Sequence, residues 1–147
     1  MTSFDTNIIV HSANEDSPHH AAARAFLEDA ATRRDIAIAE VMLVEVFLKL
    51  CNAKIFRNPM SAAEAGRYCQ ALRNNRNWRL VESAPVMDEV WAWTQRSNFA
   101  FRRIVDIRLG LTLRHAGVNE FATGNPKDFQ GLGFRKLWNP MEGESRS

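Results

Sequence analysis

The chain has little with which to build a covalent or membrane-held structure. Of its 147 residues only two are cysteines, Cys51 and Cys69. Neither stands in a C-x-x-C pattern, so a zinc knuckle or dithiol redox site is excluded, and both read as small buried apolar residues. No run approaches the roughly 18 apolar residues that a membrane helix needs. The opening Met1-Thr2-Ser3-Phe4-Asp5 has no basic segment, and an acid interrupts it before any apolar run develops, so no signal peptide is expected. Internal repeats, low-complexity stretches and linkers are also missing. These absences lead us to expect a cytoplasmic protein with no membrane partner.

Charge of one sign is scarce too. The net charge is +2 and the pI about 8.8, compatible with a nucleic-acid partner but too mild to argue for one. What remains is ordinary globular composition, 46% hydrophobic and 24% charged. A chain of this length forms one domain and buries roughly 68–70% of its unfolded surface. We place that domain at residues 1–140, with a polar tail at residues 141–147 (MEGESRS).

The pattern along the chain alternates. A buried strand ends near Asp5, and the Ile8-Ile9-Val10 run leads into a short helix. Ser17-Pro18 opens a second helix, with Ser as N-cap and Pro in the first turn, running to about Ala31. Residues 36–39 form a strand, and residues 41–52 a strongly apolar helix. Ser61-Ala62-Ala63-Glu64 has capping-box spacing and opens a helix to about Asn75. A strand at residues 78–81 precedes a helix from Pro85 through Trp93. The next helix spans residues 101–115 and stops at Gly117, and residues 118–123 and 134–138 are strands. Strands joined by helices predict a parallel sheet of about four to five strands with helices on both faces, a three-layer α/β/α fold. Sites in such folds form at the strands' carboxyl ends, which is where Asp5 falls.

Three carboxylates stand in apolar settings. Asp5 lies between Phe4 and the Ile8-Ile9-Val10 run, Glu45 inside Val41–Leu48, and Asp106 between Val105 and Ile107. Acids in such places are paired, protonated or metal-bound. Brought together they repel unless a cation relieves them. Oxygen ligands favour Mg2+ or Mn2+, and Mg2+ needs few carboxylates when phosphate completes its shell. Each acid also has a plain structural reading. Asp106 can pair with Arg102 or Arg103, Glu45 with Lys49, and Asp5 can bond the backbone of its own turn.

The opening Phe4-Asp5-Thr6-Asn7-Ile8-Ile9-Val10 resembles the D-T-[NS]-hydrophobic start of PIN domains. Glu45 and Asp106 are similar in order and spacing to that family's second and third acids. Thr123-Gly124-Asn125-Pro126-Lys127-Asp128-Phe129 is similar to its T-x-N-x-x-D-F segment. The resemblance, to the VapC-type toxin ribonucleases of type II toxin–antitoxin systems, covers residues 3–140. It implies a Mg2+- or Mn2+-dependent endoribonuclease acting on tRNA or rRNA. It also implies a small cognate antitoxin, a homodimer, and a heterotetramer or larger assembly with that antitoxin.

The resemblance makes Asp5, Glu45 and Asp106 the catalytic acids. Asp5 and Asp106 would hold the metal, with Glu45, Asn125 or Asp128 as further candidates. The family's fourth acid often falls where this chain has Asn125. Thr6, Asn7 and Thr123 are expected behind these ligands, with the Thr6 hydroxyl near the Asp5 carboxylate. Arg102, Arg103 and Arg108 are candidates for RNA phosphates. The histidines lack metal-ligand spacing. An aspartyl-phosphate phosphatase would need a second acid where Asn7 stands, and a phospho-receiver needs an acidic pair that is absent. The alternative function is a catalytically silent PIN-fold module that binds RNA or protein.

Overall fold

The computed structural model describes residues 1–142; the rest of the expected polar tail, residues 143–147, lies outside the described residues. Five short strands alternate with six helices: β1 (Thr2–Phe4), α1 (Thr6–Ala13), α2 (His20–Ala30), β2 (Ala37–Ala39), α3 (Glu40–Leu50), α4 (Ala62–Arg73), β3 (Arg79–Val81), α5 (Met87–Thr94), α6 (Arg103–His115), β4 (Glu120–Ala122) and β5 (Lys136–Trp138). A 3-10 turn, Pro126–Phe129, interrupts the last crossover.

Every strand pairing is parallel. β1 pairs β4, β4 pairs β5, and β2 pairs β3. A bridge between Thr2 and Ile36 joins the two groups, with Thr2 N donating to Asp35 O at 2.7 Å. The strands therefore lie in the order β3-β2-β1-β4-β5. From β1 the chain winds outward through β2 to β3, then crosses to the far side of β1 for β4 and β5. Parallel crossovers are right-handed almost without exception. This reversal therefore puts α1–α4 on one face and α5–α6 on the other, the three layers the sequence predicts. The winding reverses between β1 and β4, and ligand crevices open beyond the carboxyl ends of such strand pairs.

Local chemistry explains most boundaries. Asp5 caps α1, its Oδ1 accepting from Thr6 N at 2.7 Å. Ser61 and Glu64 complete the capping box at the start of α4. Gly117, just past the end of α6, has φ 92°, the left-handed geometry that ends helices. The Ser17 hydroxyl accepts from His19 N at 3.0 Å, the bond expected of a cap, and lies 2.7 Å from His11 Nδ1; a turn follows, and α2 proper begins at His20 and not at Pro18.

The core is continuous across both faces and includes Phe4, Ile8, Ile38, Val46, Ile107 and Phe121, all buried. Phe4 meets Phe26 and Trp78 edge-on, with ring centroids 5.8 and 5.3 Å apart. Truncating a buried Phe of this kind to Ala costs about 3–5 kcal/mol. Phe4 thereby anchors the strand end that carries Asp5. Met141, assigned to the tail from sequence, packs against this core instead.

One close approach matters for the site. A Cβ on Gly110 would stand 2.4 Å from Leu132 Cδ1 and 3.3 Å from Phe129 Cδ1. A helix-interior Gly costs about 1 kcal/mol relative to Ala. Here it lets the segment that follows the 3-10 turn press directly onto α6, one helical turn from Asp106.

Candidate active site

The first acid is held from two strands at once. Asp5 Oδ1 receives the Thr6 amide, and its Oδ2 receives the Thr123 hydroxyl at 2.8 Å. Asp5 follows β1 and Thr123 follows β4, so this bond spans the point where the sheet reverses. Thr123 Oγ1 also accepts from Asn125 N at 3.0 Å, fixing the loop that leaves β4. Asn7 braces the same loop, its Oδ1 accepting from Gly124 N at 3.2 Å.

The second acid comes from α3. The Thr6 hydroxyl donates to Glu45 Oε2 at 3.4 Å, linking Glu45 to the residue that caps Asp5. Thr6 thus touches both acids: its hydroxyl serves Glu45 and its amide Asp5, which the Thr123 hydroxyl also holds.

The third acid, Asp106, lies in the first turn of α6. Neither of the ion pairs proposed as plain alternatives is made: among the described residues none engages Asp5, Glu45, Asp106 or Asp128. Asp106 feels the charges of Asp5, Asp128 and Glu45, so acids from four parts of the fold come within electrostatic reach of one another.

The electrostatics record that crowding. Burial pushes the buried Asp5 carboxyl up, against the opposing pull of the Thr123 hydroxyl, the Thr6 amide and Lys49, with Asp128 raising it further. Burial and then the charge of Asp5 raise Glu45. Asp106 is pushed up to about 6, first by burial and then by repulsion from Asp5, Asp128 and Glu45, with Arg103 pulling the other way. Burial and like charges disfavour the ionised forms, and a bound cation would reverse that.

The donor set fits a hard divalent cation: it is all-oxygen, crowded with negative charge and, among the described residues, engaged in no ion pair. Among the described residues, no three His, Cys, Asp or Glu side chains are gathered tightly enough to chelate an ion unaided. Mg2+ does not require that, since it takes one or two carboxylates and completes its shell with water and phosphate.

The two candidates for the fourth position separate. Asn125 is exposed and engages the site through its backbone amide. Asp128, in the 3-10 turn, is half-buried, and its charge reaches both Asp5 and Asp106. The arginines separate as well. Arg102 and Arg108 are exposed, whereas Arg103 is half-buried with Nη2 donating to Asp128 O at 3.0 Å. Lys49 is a group whose role the sequence reading missed. Read as a plain partner of Glu45, it forms no ion pair among the described residues, yet its charge reaches Asp5, Glu45 and His11. Its position four residues after Glu45 was the available signal.

Away from the acids, α3 and α4 enclose a groove of about 250 Å3 lined by Leu43, Val44, Phe47 and Cys69, with the Glu40–Arg73 ion pair at its rim. Val44 and Leu48 on α3 are 56% and 62% exposed.

No family model matches the chain. It is 46% identical over 141 residues to Ribonuclease VapC24 of Mycobacterium tuberculosis, strain CDC 1551 / Oshkosh, an alignment covering 96% of this chain and 97% of the relative. The same protein from strain ATCC 25618 / H37Rv gives the same figures. Among solved structures, Mycobacterium tuberculosis VapC20, described as a sarcin-ricin loop cleaving toxin, superposes with a TM-score of 0.60. That match covers 82% of this chain and 87% of the other at 16% identity, a likeness of fold.

Proposed function

The chain belongs to the VapC ribonucleases, and from that premise we propose that it is a Mg2+- or Mn2+-dependent endoribonuclease, the toxin of a VapB–VapC type pair, cutting tRNA or ribosomal RNA. The observation that carries this reading is the mutual repulsion of Asp5, Glu45 and Asp106 at the sheet's reversal point, where burial and like charge raise each carboxyl and, among the described residues, no ion pair relieves them.

Asp5 and Asp106 would hold the ion, with Asp128 the better-placed further ligand and Asn125 the lesser one. The chemistry such an ion supplies when bound is polarisation of the scissile phosphate and acidification of water. The protein's part is orientation and charge. The Thr6 amide and the Thr123 hydroxyl each occupy one oxygen of Asp5, which fixes the plane of its carboxylate. Thr6 engages Oε2 of Glu45, leaving Oε1 to accept the proton of the attacking water. Burial raises the proton affinity of that carboxylate, which suits it to the task. Arg102 and Arg108, exposed on or beside α6, bind RNA phosphates. The cognate antitoxin lays an apolar segment into the α3–α4 groove. Homodimers then join with antitoxin as heterotetramers or larger assemblies.

The test is a cleavage assay on mixed tRNA and ribosomal RNA with purified chain. Internal cuts should appear with Mg2+ or Mn2+, vanish in EDTA and return with Mn2+. Equal cleavage in EDTA contradicts the metal requirement. RNA binding without cleavage under any of these ions would leave the silent-module reading.

A further inference from the structure

Arg103 stands among the candidates for RNA phosphates, but its surroundings describe another task. Its guanidinium lies 5.5 Å from the Trp93 ring centroid, and Trp93 is buried. Nη2 donates to the Asp128 carbonyl at 3.0 Å, while Nε is buried without a partner. A group meant for phosphate would keep its donor fork open to solvent. This one lies beside an indole already covered by Arg96, whose guanidinium is 3.4 Å from the same ring centroid, and it is committed to protein backbone.

The backbone it holds belongs to the 3-10 turn that carries Asp128. That turn is short, and poor hydrogen-bond geometry makes isolated 3-10 segments weak. Asp128 N donates to Asn125 O at 3.1 Å, the local bond that closes the turn. Among the contacts that tie it to α6 are Phe129 packing against Gly110 and Arg103 bound to Asp128 O. Arg103, Asp106 and Gly110 follow at three- and four-residue spacing, so they share one face of α6. On that face the two ties flank Asp106.

We propose that Arg103 is a positioning residue: packed near Trp93, it holds the Asp128 carbonyl and so sets the Asp128 carboxylate toward Asp106, among the acids that would hold the metal. The inference rests on the metal-dependent reading above and assigns Arg103 to the metal side of the site, not the RNA side. Planar, always charged and carrying several donors in a fixed fork, Arg meets this demand better than Lys, whose compact point charge does not fix the direction of the bond to the turn.

The experiment uses Mn2+ alone, titrated into purified full-length chain without RNA and followed by electron paramagnetic resonance. RNA binding is measured separately in EDTA across a salt series. Removal of an outer partner of a metal ligand commonly costs about 10–100-fold in metal affinity. Arg103→Ala should therefore weaken Mn2+ binding about tenfold, as should Asp128→Asn, and the double variant should be no weaker than the poorer single variant. RNA affinity and its salt slope should stay at wild-type values, and kcat should fall while KM holds. Should Arg103→Ala not fold, Arg103→Lys replaces it and should lose several-fold in Mn2+ affinity. Wild-type Mn2+ binding in the folded variant overturns the inference. So does a salt slope reduced by about one, the mark of a lost phosphate contact. A wild-type chain that binds no Mn2+ overturns the metal reading and this inference with it. Wild-type binding left intact by both Arg103 variants overturns this inference alone.

Discussion

The Thr123 hydroxyl donates to Asp5 Oδ2 at 2.8 Å, tying the carboxyl ends of β1 and β4 across the point where the sheet reverses. Because the same oxygen of Thr123 accepts from Asn125 N, one hydroxyl orients the first acid and the loop leading to Asp128. Thr123→Val keeps the shape and removes both bonds. Leaving buried groups unpaired costs about 1–3 kcal/mol, and at this chain length each kcal/mol lowers Tm by about 2–4 °C. Cleavage rate per folded molecule should fall at least tenfold at unchanged KM. Thr123→Ser should retain both stability and rate. Steady-state kinetics beside thermal melts check it.

Gly124 has a steric reason to be glycine. A Cβ there would stand 2.7 Å from Asn7 Nδ2 and 3.2 Å from Asn7 Cγ. Gly124→Ala should displace Asn7, break the Gly124 N to Asn7 Oδ1 bond and destabilise the chain by roughly 1–3 kcal/mol. In an Asn7→Ala background the same substitution should cost less than half as much. Denaturant unfolding of the four proteins of this double-mutant cycle reads the coupling. Additive costs would refute the contact.

The raised carboxyl pKa values fix the direction of a pH effect. Asp106 titrates near 6 in the folded chain, above its ordinary value of 3.8. The folded state thus binds that proton more tightly than the unfolded state. Its contribution is fully present below about pH 4 and is lost as pH rises through 6. Asp5 and Glu45 act with the same sign. Metal-free protein should lose stability between pH 4 and 7, by on the order of 1 kcal/mol from Asp106 once solvent screening of this half-exposed group is discounted. Asp106→Asn should flatten that slope. Mn2+ affinity should move oppositely and rise with pH, since protons compete for the same oxygens. Melts in EDTA across pH, with matched Mn2+ titrations, measure both.

The α3–α4 groove gives a prediction independent of catalysis. Val44 is more than half exposed at its edge, so Val44→Glu should leave Tm and RNA cleavage unchanged. Co-expressed with the small protein encoded immediately upstream, the wild-type chain should co-purify with it and the variant should not. Retention of the complex by Val44→Glu would place the antitoxin elsewhere.

What was legible in the sequence was whatever local chemistry alone decides. Ser61 and Glu64 form their capping box because both partners lie within one turn. Asp5, Glu45 and Asp106 stand out because acids are costly in apolar runs. Features set by long-range contact were not legible. α2 begins at His20 and not at Pro18, and the Ser17 hydroxyl that accepts from His19 N also lies 2.7 Å from His11 on the neighbouring helix α1. The Thr6 hydroxyl turns to Glu45, thirty-nine positions away in the chain. The Pro126–Phe129 turn carries no hydrophobic period, and only its packing on Gly110 shows how Asp128 comes to lie where its charge reaches Asp106.

The central claim is that these acids are built for metal and chemistry at the expense of the apo fold, and Asp5→Asn tests it most directly. Asn can still accept the Thr6 amide through Oδ1 and removes a buried negative charge, so the variant in EDTA should melt at or above the wild-type temperature. Its cleavage of RNA in Mn2+ should meanwhile fall by at least about 100-fold, because an anionic ligand is gone. A variant that melts several degrees lower in EDTA, yet cleaves at the wild-type rate when folded, would make Asp5 a structural cap and contradict the account.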